Sequence, residues 1–176
     1  MGGTNLPPYF FRVKGVIIMN EKVKIRNTTS GRIGINIPDL KLSRIWERKN
    51  VVKTIDFSDL EQAMYDAGVE YMIRQGMLEI EDMEVKIALG LEEEGTKEPV
   101  NIIVLSEKDM ERYLKFLPLA DFKKKLAELP KEQIYNLLDY AIEKEVVQLD
   151  KNEVLKEITG TDVIQAIKLK KQAQEN

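Results

Sequence analysis

Lys22-Val-Lys-Ile-Arg-Asn-Thr-Thr-Ser-Gly-Arg-Ile-Gly-Ile-Asn-Ile37 is the stretch whose reading decides the fold. Val23 and Ile25 alternate with Lys22, Lys24 and Arg26. Ile33, Ile35 and Ile37 alternate with Arg32, Gly34 and Asn36. An apolar period of two residues marks a strand with one face buried and one in water. Between the two runs, Asn27-Thr28-Thr29-Ser30-Gly31 is turn chemistry, which predicts a hairpin joining them.

Working outward, Pro38-Asp39 predicts a turn, Leu40, Leu42, Ile45 and Trp46 a third strand, and Arg48-Lys49-Asn50 another turn. Val51, Val52 and Ile55 predict a fourth strand. The expected N-terminal architecture is an antiparallel β meander of about four to five short strands. Trp46, the only Trp in the chain, reads as a core anchor. A stacking platform for bases would need several aromatics on one face.

Ser58-Asp59-Leu60-Glu61 has the spacing of a capping box and predicts a helix start, with a break at Gly68 and a C-terminal stop at Gly76. Met77–Ile80 predicts a strand returning to the sheet, and Met83–Leu89 a short helix ended by Gly90. Residues 92–99, Glu-Glu-Glu-Gly-Thr-Lys-Glu-Pro, read as a polar linker. Val100–Leu105 is a strand or a buried connector. From Ser106 the chain reads as helices near 107–116, 120–129, 131–146, 151–159 and 162–173, with Ser106/Asp109 and Asp150/Glu153 as caps and Pro118 and Pro130 at first turns. The expected class is therefore α+β: a β meander with capped helices, then a helical C-terminal bundle. The expected organisation is 19–91 as a basic β-rich module with acidic helices, 92–99 as linker and 100–176 as helical module. Met19-Asn20-Glu21 looks like a natural start, which makes residues 1–18 an N-terminal extension, an extra strand or a tail.

The composition removes whole classes of chemistry. The chain has no Cys and no His, so disulfides, thiolate nucleophiles, zinc–thiolate sites and Ser-His-Asp triads cannot be built from it. No catalytic, metal or cofactor-binding residues are assigned and no cofactor is expected. Walker A, dinucleotide, Gly-x-Ser-x-Gly and calcium-loop patterns are absent. Thr29 to Gly34 lacks the Lys-Ser/Thr ending and following helix of a phosphate loop. Glu79, Glu81, Asp82 and Glu84 crowd one stretch and read as a solvated face. No apolar run is long enough for a membrane span, and no signal-peptide cleavage pattern follows the N-terminal apolar run, so the expected location is the cytoplasm.

Charge is the functional signal. Residues 1–55 hold eleven Lys/Arg against three Asp/Glu, a net +8. Residues 56–118 hold six against sixteen, a net −10, and the remainder is close to neutral. Lys22, Lys24, Arg26 and Arg32 fall on the polar phase of the strands, and Arg44 and Lys49 flank Trp46. These six residues are the expected docking face. Three occupants are open: acidic helices of the same molecule, an acidic protein surface including a second copy, and a nucleic-acid backbone. The last two helices have helix-turn-helix lengths, but their cations gather at the C-terminal end rather than where a recognition helix reads bases.

Gly31-Arg-Ile-Gly-Ile-Asn-Ile-Pro38 through Trp46, with Tyr65-Asp-Ala-Gly-Val-Glu-Tyr71, resembles small accessory proteins of tailed-bacteriophage virions. That resemblance implies a structural role at a head, neck or tail interface, and location in the virion. It carries over no functional residue. The leading expectation is a non-enzymatic assembly or interaction protein; a nucleic-acid-binding accessory or regulatory protein is the alternative, and carboxylate-based enzyme chemistry stays open as a third reading.

Overall fold

The computed structural model describes residues 11–13, 16–18 and 22–175. The chain divides into two units: residues 1–74 with 78–102, and residues 75–77 with 103–176. The segment 92–99, read as a linker, lies inside the first unit. Most of the reading of residues 1–18 as an extension lies outside the described residues; within that span, β1 (Phe11–Val13) pairs antiparallel with β2 (Val16–Ile18).

The first unit is built on β3 (Lys22–Asn27), whose burial alternates as the sequence predicts. It is the centre of a three-stranded antiparallel sheet, between β6 (Val52–Asp56) and β7 (Leu78–Ile80). Val23 faces Ile55 and Ile25 faces Ile80 across the two ladders, so apolar pairs fill the inner face. β4 (Ile33–Ile37) and β5 (Leu42–Trp46) form a separate two-stranded ribbon, joined through a 3-10 turn at Pro38–Leu40.

The expected hairpin between β3 and β4 does not form. Asn27 ends β3 by donating its backbone N–H to Val51 O (3.1 Å) and accepting from Asn50 N (2.8 Å), which gives that side of β3 to β6. Its side chain then folds the exit loop: Oδ1 accepts from Thr29 N and Thr29 Oγ1, and Nδ2 donates to Gly31 O, each at 2.8 Å. The turn chemistry of 27–31 is real, but it leads the chain out of the sheet. Trp46 reconnects the ribbon to the sheet. It is fully buried and its Nε1 donates to Ile25 O at 2.9 Å.

Three short helices cover the core: α1 (Phe57–Ala63), α2 (Ala67–Arg74) and α3 (Met83–Ala88). The Ser58–Glu61 capping box does not form; α1 starts two residues earlier than that box would set it, with Asp56 in the cap position. Phe57, Leu60 and Ala63 are all buried, and helical spacing from 57 puts them on one face. The break before α2 comes at Asp66 rather than Gly68, because Asp66 Oδ1 accepts from Gly68 N (2.9 Å) and Val69 N (3.1 Å). Glu92, read as linker charge, is buried, and its carboxylate accepts from the amides of Val100, Asn101 and Ile102 at 3.1–3.2 Å. It thereby anchors the returning loop. Val100–Leu105 forms no strand; Ile102 and Leu105 are buried within a connector.

The second unit is helical: α4 (Glu107–Lys115), α5 (Leu119–Glu128), α6 (Lys131–Glu143), α7 (Leu149–Thr159) and α8 (Val163–Glu175). Met110, Leu114, Phe122, Leu126, Leu137 and Leu155 form its apolar core. Buried polar side chains fix how the chain turns. Gln133 donates to Gly76 O (2.9 Å) and accepts from Leu105 N (3.2 Å). Asn152 accepts from Val163 N (2.8 Å) and so caps α8 from within α7. The cap expected from Asp150 and Glu153 is absent, and α7 starts at Leu149 without a side-chain cap. Gln148 and Lys151 instead turn to the end of α4, donating to Lys115 O and Leu114 O at 3.0 Å. These bonds satisfy carbonyls that a helix C-terminus leaves open. Among the described residues, no helix is long and apolar enough to cross a membrane.

Two outcomes follow from this packing. Trp46→Phe removes the donor to Ile25 O and leaves a void, so urea denaturation should show a loss of about 2–4 kcal/mol. Lys151 is fully buried over the Phe122 ring, and desolvation holds its ammonium below the ordinary lysine range. Between the folded and unfolded values the unfolded chain binds more protons, so stability rises as pH climbs through that window. Wild-type stability relative to Lys151→Met should therefore increase as pH climbs toward the ordinary lysine value of about 10.4; a flat difference would contradict the assignment.

Candidate docking surface

Strand alternation places Lys22, Lys24 and Arg26 on the outer face of β3, because Val23, Ile25 and Asn27 occupy the inner one. The flanking strands add Asp56 opposite Lys22, Thr54 opposite Lys24, and Val52 and Glu79 on either side of Arg26. Arg26 is engaged within the molecule. Its Nε lies 3.1 Å from Glu79 Oε2, and Nη2 makes a second contact to the same oxygen. Lys22 and Lys24 are exposed and make no ion pair among the described residues. Lys24 faces a neutral Thr on the β6 side, while on the β7 side Glu81 donates its backbone N–H to Lys24 O (3.2 Å), which sets an exposed acidic residue beside it.

A second group forms at the end of the ribbon. Arg32 precedes Ile33, which pairs with Trp46, so Arg32 sits beside Glu47. Arg48 and Lys49 follow in the next turn, and the Asn27 bonds to Asn50 and Val51 draw that turn against the 27–31 loop. The carboxylate in this corner is already taken. Glu47 pairs with Lys53 at 2.9 Å, and that hydrogen bond, with a smaller contribution from Arg32, holds its pKa below the usual carboxylate range. Arg32 and Lys49 form no ion pair among the described residues, and Lys49 is half-buried.

Arg44 stands apart from both groups. It occupies the ribbon face shared with Ile35, Leu42 and Trp46, and its guanidinium donates to Ser43 O (2.8 Å) and approaches Thr54 O (3.5 Å). Those contacts tie β5 to β6 without neutralising the charge. The six residues named from sequence are thus distributed over three places: the β3 face, the 31–50 corner and the inner side of the ribbon.

The remaining motifs disperse. Of the acidic run 79–84, Glu79 pairs with Arg26, Asp82 Oδ1 caps α3 by accepting from Glu84 N (2.9 Å) and Val85 N (3.3 Å), and Glu81 and Glu84 are exposed. Among the described residues, no group of three or more acidic side chains is placed to hold a metal ion. At the end of α8, Lys170 donates to Glu143 O (3.2 Å) and Lys171 pairs with Glu145, so both are committed to the end of α6. Sequence reading did not single out Tyr65 and Tyr71 as surface residues; they are 88% and 51% exposed beside the acidic turn between α1 and α2. No protein-family model, curated protein or solved structure matches this chain.

The Arg26–Glu79 pair is partly exposed, so screening limits its value. A double-mutant cycle with Arg26→Ala and Glu79→Ala should return a coupling of about 0.5–1 kcal/mol that shrinks in high salt.

Proposed function

We propose that this chain is a non-enzymatic interaction protein that docks the cationic surface of its first unit on an acidic protein partner. One observation carries the reading. Of the six sequence-named cations, Arg26 is ion-paired, while Lys22, Lys24, Arg32, Arg44 and Lys49 make no ion pair among the described residues. Arg26 is thus answered within the molecule; Lys22 and Lys24 have Asp56 and Glu81 as strand neighbours without an ion pair at contact distance, and the Glu47 beside Arg32 is taken by Lys53. The burial of Trp46 favours a protein partner over nucleic acid, because the one indole of the chain is withdrawn from any stacking role. An assembly interface in a tailed-phage particle is the setting that the sequence resemblance adds.

Docking of this kind is driven by charge, and it accelerates encounter more than it tightens the final complex. The experiment is fluorescence anisotropy with a labelled oligoglutamate peptide and with single- and double-stranded DNA. At about 50 mM salt the peptide should bind, and binding should fade by about 500 mM. The triple variant Lys22→Glu/Lys24→Glu/Arg32→Glu should weaken it by about tenfold or more while keeping the wild-type melting temperature. If DNA binds instead, with a steep log-linear salt slope, the protein-docking reading gives way to the nucleic-acid one. If nothing binds, both fail.

A further inference from the structure

The first unit sets Lys22 and Lys24 on the outer face of β3, beside Asp56 and Glu81, and Arg32 and Lys49 at the end of the ribbon, while α1 presents carboxylates that make no ion pair among the described residues. β3 turns Lys22 and Lys24 outward, and its inner face packs under helices whose apolar residues Leu60, Ala63, Val69 and Ile73 are buried. The polar side of α1 and α2 must then look away from the sheet. That side presents Glu61, which is exposed and makes no ion pair among the described residues. Tyr65 follows one turn later, 88% exposed, with Asp66 beside it, and Tyr71 lies on the next helix. Tyr65 adds nothing to the core. A bare aromatic rimmed by carboxylates suits a cationic partner, since Arg and Lys can pair with the acids and stack on the ring.

We infer that the acidic partner is a second copy of this chain, with the cationic β surface of one copy seated on the Glu61–Tyr65 knob of the next. This rests on the docking reading above and names its occupant. Charge complementarity selects the copy: both faces are present on every molecule. A net charge of only −3 gives little overall repulsion. Because the two surfaces differ, the contact is heterologous. Each copy added leaves one face of each kind open, so growth continues to a ring or filament.

The test is light scattering behind size-exclusion at rising protein concentration in low salt. Wild-type mass should climb above 20.3 kDa with concentration and return to it in high salt. The triple variant Lys22→Glu/Lys24→Glu/Arg32→Glu keeps the knob, and Glu61→Ala/Tyr65→Ala keeps the cationic face, so each alone should stay at 20.3 kDa. Mixed one to one, they can make a single contact and should stop at twice that mass. A wild type that stays at 20.3 kDa at every concentration overturns the inference, as does assembly that survives the triple variant. The oligoglutamate titration separates the two levels: peptide binding by a strictly monomeric wild type sinks the self-partner and leaves docking standing, whereas loss of both sinks docking as well.

Discussion

A central strand with one face against the core can bury only every second residue, and β3 obeys that constraint on both of its edges. Val23, Ile25 and Asn27 go inward, so Lys22, Lys24 and Arg26 must go outward. A shift of register by one residue would place three cations in the core, at a cost no small domain could bear. The inner pairs with Ile55 and Ile80 and the Trp46 bond to Ile25 O lock the register. The charge of the surface is thus a by-product of the packing beneath it.

The same economy governs the helical unit, where buried polar side chains do the work of topology. Gln133 holds Gly76 and Leu105, Lys151 and Gln148 close the end of α4, and Asn152 starts α8. The bonds of Gln133, Lys151 and Asn152 satisfy backbone groups that would otherwise be stranded away from water, which in a buried setting costs about 1–3 kcal/mol per group, while the Gln148 bond lies at the surface. Apolar contacts alone would hold these helices together with less definition of where each begins and ends.

The sequence carried the local signals and missed the distant ones. Alternation at Val23/Ile25 and Ile33/Ile35/Ile37 marks real strands, and the division into β-rich and helical parts of an α+β chain is present in the structure. Strand partners were illegible. β3 pairs with β6 and β7, and what excludes β4 is the backbone of Asn27 bonding to residues more than twenty positions away. Glu92 looks like any member of a Glu run until its three amide partners are seen. On the outer face of β3, the outward direction of Lys22 and Lys24 was legible from period two. The neutralisation of Arg26 was not, because Glu79 lies 53 residues along the chain. The exposure of Tyr65 was not legible, because a tyrosine in a helical stretch reads as ordinary until its surroundings are known.

The account depends on amines that stand open to water, and amine reactivity measures that directly. Brief labelling of the wild-type chain with an acylating reagent, followed by mass spectrometry, ranks every lysine by accessibility. Lys22 and Lys24 should label as fast as the free lysines of an unfolded control, while Lys151 should remain protected until the chain unfolds. Protection of Lys22 and Lys24 to the level of Lys151 in dilute, monomeric protein would mean that the cationic face is covered from within, and the account would be wrong.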